Sequence, residues 1–180
     1  MKQSSKLLSY ITVGTLFALG QFTVAQAAEN RGQLSEHDFS FVCKAAEGGN
    51  AEVSFSQVAV SKASDSAVRD FAQRMVTDHT KANHELTGLV SQKGATLPDA
   101  EPKKVEKETE KLQNLSGNDF DKAYMKIMLS DHEKTVKMFQ KEADHGDDAD
   151  LKGWVSKTLP TLQEHLSMAQ TTEAAVKAKP

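Results

Sequence analysis

Apolar side chains recur every three to four positions along four long stretches of the sequence, the spacing typical of amphipathic α-helices. Polar and charged residues fill the opposite face of each stretch, and there is almost no alternating pattern of the kind that predicts strands. The sequence therefore predicts an all-α protein with four long helices packed as a bundle. The predicted helices cover residues 35–63, 66–93, 116–145 and 149–174.

Residues that usually begin and end helices stand at the boundaries of these stretches. Ser35, Asp65 and Asp148 precede the first, second and fourth helices, where their side chains can accept backbone N–H groups. Gly94 and Gly146 follow the last turns of the second and third helices. Because a very short link joins the first two helices, we expect them to be antiparallel neighbours.

A long connection separates the second helix from the third. It contains Pro98, Pro102 and a charged stretch over residues 103–112, which we expect to form a short solvated helix. Fully extended, this connection could reach roughly 70 Å, more than the roughly 40 Å length of a long helix. Ferritin-like bundles use such a crossover, which makes the second and third helices parallel. The alternative is an up-down-up-down bundle with an elaborated loop.

Each predicted helix carries an ionisable residue near the middle of its apolar face. These residues are Glu52, His79, His132 and His165. At a rise of 1.5 Å per residue, their predicted heights differ by about 5 Å in the first helix pair and about 6 Å in the second. The four side chains could therefore share one buried layer. An ionised glutamate buried there without a partner would cost several kcal/mol, so something must compensate its charge.

Three arrangements would provide that compensation. In the first, a zinc, copper or iron ion binds Glu52 and the three imidazoles. Asp78, Asp131 and Glu164, each preceding one of the histidines, would then orient the rings or complete the coordination. In the second, Glu52 pairs with a protonated histidine in a purely structural network. In the third, one or more of these side chains faces outward and is hydrated. The sequence leaves all three open.

Recognisable catalytic motifs are missing from the sequence. A diiron oxidase site requires Glu-x-x-His, but Val76, Leu129 and Leu162 stand three residues before the histidines. There is no nucleophile elbow, phosphate-binding loop or Cys-x-x-Cys. His37 and His145 lie at predicted helix ends, where capping or helix-dipole contacts would explain them. We therefore assign no catalytic residue, and a non-enzymatic role is favoured.

The first 27 residues have the features of a secretory signal peptide. Lys2 and Lys6 precede an apolar segment over residues 7–19 that is too short to span a bilayer, and residues 25–27 form a small-x-small cleavage site. We therefore expect the segment 1–27 to be removed, and the mature protein to be periplasmic or secreted.

The mature chain, residues 28–180, is expected to form one domain with its helical core at about 35–174. The sequence has 22 Lys and Arg against 25 Asp and Glu, and removal of Lys2 and Lys6 leaves 20 against 25, a net charge of −5. Such a mildly acidic chain offers no basic surface for nucleic acid or anionic membranes. No mature segment is apolar enough to span a membrane. The sequence indicates no particular protein partner.

Three blocks of the sequence resemble a family of exported bacterial proteins. The blocks are residues 41–51 (FVCKAAEGGNA), 71–79 (FAQRMVTDH) and 158–162 (TLPTL). They are similar to the family catalogued as domain of unknown function 4142, whose members are often labelled outer membrane or secreted proteins. The resemblance covers about residues 35–174 and implies a ferritin-like four-helix bundle. It implies no activity, because the biochemistry of the family is unassigned.

Two functions from different classes fit these observations. The first is an exported bundle that holds a metal ion or small ligand in its central His/Glu layer, for metal handling or envelope stress protection. The second is a structural or interaction protein, such as a secreted stress or host-interaction factor, whose polar layer only fixes helix packing.

Overall fold

A computed structural model describes residues 30–98 and 103–179 of the chain. Within these ranges the chain is all-α and forms five helices and no strand, which confirms the predicted fold class. The helices are α1 (Glu36–Lys62), α2 (Ser66–Gln92), α3 (Lys103–Gln113), α4 (Gly117–His145) and α5 (Ala149–Lys177). No helix in the described ranges is long and apolar enough to cross a membrane. The predicted signal peptide, residues 1–27, lies outside the described residues.

The helix boundaries follow the capping residues that the sequence contains. Ser35, Asp65 and Asp148 each accept a backbone N–H from the first turn of α1, α2 and α5, respectively. Caps of this kind typically stabilise a helix by about 1 kcal/mol each. The short helix expected within the long connection is α3, and α5 continues to Lys177, a few residues beyond its predicted end.

Two helical hairpins, α1–α2 and α4–α5, make up the bundle, and they pack with α1 against α4 and α2 against α5. Asp38, in the first turn of α1, accepts the backbone N–H groups of Asp147 and Asp148, which follow α4, at 3.0 and 2.9 Å. Helices α1 and α4 are therefore antiparallel, so α2 and α4 run parallel. This is the crossover topology of ferritin-like bundles, and the up-down-up-down alternative is wrong.

A buried aspartate from each hairpin holds the turn of the other. Asp121 of α4 accepts the N–H groups of Ser64 and Asp65 in the α1–α2 turn, at 3.1 and 2.9 Å, and also the Ser64 hydroxyl. Asp38 does the same for the α4–α5 turn. A buried carboxylate requires hydrogen-bond donors, and the N–H groups of the turns supply them, so these carboxylates are specific anchors. They fix the relative heights of the two hairpins, and with them the heights of the residues at mid-helix.

The apolar core is divided into two clusters that lie on either side of the central polar residues. One contains Phe55, Phe71, Tyr124 and Met128, and the other contains Val42, Leu86, Phe139 and Val155, among others. Phe55 of α1 belongs to this core and is only 1 % exposed. Helix α1 packs against α2, α3 and α4, so its buried arc is wider than a single stripe.

Candidate metal centre

His79, His132 and His165 lie together in the middle of the bundle. The three residues are 5 %, 0 % and 1 % exposed, respectively. Their ring centroids are 5.3 to 5.6 Å apart, and one ring nitrogen of each lies within 4.8 Å of a nitrogen of the other two. The bundle thus brings three of the four predicted central residues into a compact triangle of imidazoles.

Glu52 and a backbone carbonyl hold two of these rings. Glu52 Oε2 lies 3.0 Å from His79 Nδ1, and Glu52 Oε1 lies 3.4 Å from His132 Nδ1. His132 Nδ1 also lies 2.9 Å from the carbonyl oxygen of Met128, one turn earlier in α4. Because a carbonyl can only accept, His132 Nδ1 carries the proton of that hydrogen bond. Both rings therefore use Nδ1 for contacts with the protein.

Asp78 holds the third ring from another helix. Its Oδ2 lies 2.9 Å from His165 Nε2, although Asp78 stands on α2 and His165 on α5. Arg74, one turn before Asp78, pairs with Asp78 and with Glu164, so the carboxylate is itself anchored. His165 thus uses Nε2 for its protein contact.

The second nitrogen of each ring is buried and has no hydrogen-bond partner among the described residues. These atoms are Nε2 of His79, Nε2 of His132 and Nδ1 of His165. Nearly all buried polar atoms in folded proteins are hydrogen-bonded, so three such nitrogens in one place form a distinctive feature. In a neutral ring whose other nitrogen is protonated, each would present a lone pair.

The pKa values of Glu52, His79 and His165 are shifted by burial and by the charged groups beside them. Burial opposes its ionisation, but the neighbouring charges of His79 and His132 outweigh it and lower the pKa of Glu52 to about 2. Burial also opposes protonation of His79, yet Glu52 raises the pKa of that imidazole. At His165 burial outweighs the hydrogen bond that the ring donates to Asp78 and lowers the pKa to about 4. The layer therefore combines an ionised Glu52, a His79 that favours protonation and a neutral His165.

Three imidazole nitrogens form a donor set suited to zinc, copper or iron. With metal–nitrogen bonds of 2.0–2.1 Å, tetrahedral ligands lie about 3.3 Å apart. From separations of up to 4.8 Å, the nitrogens would need to move together by no more than about 1.5 Å, which small rotations of the rings provide. A three-nitrogen set leaves one tetrahedral position for water or another ligand. A bound metal would also displace the proton that His79 favours.

Glu52 occupies a different position from the one expected of a ligand. Its oxygens contact the Nδ1 atoms of His79 and His132, and Glu52 does not belong to the group of three residues whose ligand atoms converge. Its role in this geometry is to orient the ring of His79 and to place a negative charge beside His79 and His132. The helical periodicity of the sequence placed Glu52 in the layer, but it could not specify which ring nitrogen the carboxylate would meet.

The three acidic neighbours of the histidines also differ from one another. Asp131 pairs with Lys134 at 3.2 Å, and the side chain of Glu164 is 66 % exposed and pairs with Arg74. In the described ranges neither of them contacts a histidine of the layer, so the expected orienting role fails for both. One residue along a helix is a rotation of about 100°, which turns Asp131 and Glu164 outward but turns Asp78 toward α5.

A second cluster, not predicted from the sequence, lies at the end of the bundle where α1 begins and α4 ends. His37 Nε2 lies 3.1 Å from Glu142 Oε2, and the ligand atoms of His37, Asp38 and Glu142 lie within 4.8 Å of one another. Asp38 and Glu142 are buried. Burial, followed by the hydrogen bond and charge of Asp38, raises the pKa of Glu142 to about 7. Both acids fall on the apolar faces of their helices, which is the signal that could have revealed them.

Comparison with known protein families gives one match. The family model described as domain of unknown function (DUF4142) matches residues 23–172, which is most of the chain. No curated protein and no solved structure matches the chain. The match includes all three sequence blocks and all four central residues, Glu52, His79, His132 and His165. This chain therefore belongs to the DUF4142 family, a family of unknown function.

Proposed function

We propose that this protein is an exported metal-binding bundle that holds a zinc, copper or iron ion through His79, His132 and His165. The observation that supports the proposal is that the two nitrogens of each imidazole ring have different surroundings. One nitrogen is held by Glu52, Asp78 or a backbone carbonyl, and the other is buried without a partner among the described residues. Histidines that bind metals almost always have their second nitrogen bonded in this way.

A layer that served only helix packing would not need this arrangement. A buried polar atom without a partner costs about 1–3 kcal/mol, so a structural network would be expected to pair its nitrogens with one another or with hydroxyl groups. The contact between Glu52 and His79 could fix the register of α1 and α2 by itself. The additional convergence of His132 and His165 favours metal binding over the structural alternative.

The expected site of action is the periplasm or the cell exterior, and residues 1–27 support it with the features of a signal peptide. An exported protein with one buried transition-metal site per chain suits metal handling or envelope stress protection. The three-nitrogen set with an open coordination position is compatible with reversible binding. We propose no catalytic reaction for the site.

Elemental analysis of the mature protein tests this function. The protein should be purified without a histidine tag from the periplasm, beside a His79/His132/His165 triple-alanine variant. We expect near-stoichiometric metal in the wild type and none in the variant. A variant in which His84 and His145, both exposed, are replaced by alanine is the matched control and should keep its metal. Absence of metal from the wild type, even after reconstitution with each of the three ions, would contradict the proposal and favour the structural alternative.

A further inference from the structure

A groove on the bundle surface leads toward the histidine layer. It lies between α1, α3 and α4, has a volume of about 380 Å³ and is lined by Glu52. The 11 residues of α3 cover only part of the seam between α1 and α4. Lys104 and Val105, at the start of α3, line the groove where this cover begins.

A smaller cavity of about 30 Å³ lies inside the bundle, against Glu52 and His79. The groove and this inner cavity share part of their lining, so the seam between α1 and α4 separates the two spaces. The shared residues are Lys44, Gly48, Glu52, Thr135 and Met138.

The seam is open at Gly48. A Cβ on this residue would meet no atom within 4 Å in the described part of the chain. The adjacent Gly49 is different, because a Cβ there would collide with Asn83 of α2. Gly49 therefore allows α1 and α2 to approach closely, whereas Gly48 leaves space on the side that faces the groove.

Residues that line the inner cavity carry buried polar atoms without a partner among the described residues. Trp154 lines it, and its Nε1 is buried with no hydrogen-bond partner among the described residues; the same is true of Glu52 Oε1 and His79 Nε2. A buried water requires about this volume and two to four polar partners, and both are present. The inner cavity thus has the size and the polar lining that a buried water requires.

We propose that the groove and the inner cavity form the access route by which the metal ion reaches the three histidines, passing between α1 and α4 beside Gly48. This inference rests on the proposed metal-binding function. One water needs a cavity of about 10–15 Å³, so the inner cavity of about 30 Å³ has room for about two, and an ion enters it only after losing most of its hydration shell. The route therefore takes a free ion that sheds its bound water on the way in, and an ion that arrives in a larger chelate must leave its carrier in the groove.

The mouth of the route carries no strong net charge. Three lysines and three acidic residues line the groove outside the buried Glu52, namely Lys44, Lys104, Lys134, Glu47, Glu108 and Asp131. Long-range attraction of cations is therefore weak, and the association rate should depend little on ionic strength. Within the route, Glu52 Oε1 offers a first oxygen ligand to the passing ion.

The single tryptophan of the chain provides a direct test, because Trp154 lines the inner cavity and Cu²⁺ quenches tryptophan fluorescence at short range. The mature protein is mixed rapidly with Cu²⁺, and the triple-alanine variant supplies the background. In Gly48→Leu we expect quenching to be at least about tenfold slower with an unchanged equilibrium Kd, because association then requires a conformational change. Gly88→Leu is the matched control: Gly88 is also a helical glycine with open space around it, but it does not line the groove, so its rate should equal that of the wild type.

The outcomes separate the route from the metal site. Equal rates of quenching in the wild type and Gly48→Leu would overturn the route but not the metal site. The same holds if Gly48→Leu loses equilibrium affinity for Cu²⁺ while its quenching rate is unchanged. No quenching of the wild type at equilibrium would overturn the route for Cu²⁺, and it would overturn the metal site as well where reconstitution with each of the three ions also fails. If Gly48→Leu fails to fold, Thr135→Leu is used instead, because Thr135 of α4 lines both the groove and the inner cavity. We expect the same slower quenching with an unchanged equilibrium Kd.

Discussion

Asp78 adjoins His79 in the sequence but bonds His165 of another helix, with 2.9 Å between Asp78 Oδ2 and His165 Nε2. Arg74 holds the carboxylate by pairing with both Asp78 and Glu164. The contact directs the Nε2 proton of His165 toward Asp78 and leaves Nδ1 free inside the layer. An outer carboxylate on α2 therefore determines which nitrogen of an α5 histidine is available to a metal.

Replacing Asp78 by asparagine should weaken metal binding. The loss of a carboxylate that orients a ligating histidine typically reduces metal affinity by about 10–100-fold. We expect the zinc affinity of Asp78→Asn to fall within this range, measured at fixed pH by competition with a chromophoric chelator. Asp131→Asn is the control, since Asp131 pairs with Lys134 at the surface. Equal losses in the two variants would mean that general negative charge, rather than the contact with His165, supports binding.

Removing the charge of Glu52 should destabilise the protein even without metal. Loss of one partner of a buried ion pair typically costs about 3–5 kcal/mol, because the other charge stays buried without compensation. Glu52→Gln keeps the shape of the side chain but removes the charge that raises the pKa of His79, so burial then opposes protonation of that ring. We expect its free energy of unfolding, measured by urea titration at neutral pH in the presence of a chelator, to fall by about 3 kcal/mol.

Glu47→Gln is the reference for this substitution, since Glu47 is an exposed glutamate on the same helix and its replacement should change stability by less than about 0.5 kcal/mol. A similarly small change in Glu52→Gln would indicate that His79 stays neutral in the folded protein. The charged contact between Glu52 and His79 would then contribute little to the layer.

The fold could be predicted from the sequence because its determinants are local. The period of the apolar residues defines the helices, and Ser35, Asp65 and Asp148 define where three of them begin. The length of the connection after α2 favours the crossover topology. The roles of Asp38 and Asp121 could not be predicted in this way, because each carboxylate meets a turn far away in the sequence.

The candidate site could be predicted only in part. A histidine at mid-helix on the apolar face must point inward, so periodicity was sufficient to select His79, His132 and His165. Which nitrogen of a histidine ring contacts a neighbouring side chain depends on how the adjacent helices are rotated and on their relative heights. Those positions would have to be known to within about one ångström. That information resides in the packing, and for this reason the sequence left open whether Glu52 pairs with a histidine and could not show that Asp131 pairs with Lys134.

Loss of the Asp121 anchor should destabilise the bundle. Asp121→Ala removes the acceptor of the Ser64 and Asp65 N–H groups in the α1–α2 turn. Hydrogen bonds to carboxylates typically contribute about 1.5–3 kcal/mol each, and these two are only partly buried, so we expect a loss of about 2–4 kcal/mol in the free energy of unfolding. Asp119→Ala, an exposed position in the first turn of the same helix, serves as the comparison in urea titrations. A cost no greater than that of Asp119→Ala would show that water replaces the carboxylate in the turn.

Glu142 should make stability depend on pH. Burial, together with the hydrogen bond and charge of Asp38 and the charge of Asp147, raises the pKa of this carboxyl from 4.5 to about 7, while Lys141 acts in the opposite direction. Between these two values the folded chain keeps a proton that the unfolded chain releases. The stabilising contribution is therefore complete below about pH 4.5, declines as the pH rises and is lost above about pH 7.

Glu142→Gln isolates this effect, because glutamine resembles the protonated carboxyl and cannot ionise. In urea titrations we expect the variant and the wild type to have similar stability at about pH 5 and the variant to be the more stable at about pH 8. His37, 3.1 Å from Glu142, would favour the ionised form where the imidazole is protonated, so the crossover should be gradual. Glu133→Gln, at an exposed position on the same helix, should instead follow the wild type at every pH. Parallel curves for Glu142→Gln and the wild type would mean that Glu142 is ionised throughout, with a cation rather than a proton balancing its charge beside Asp38.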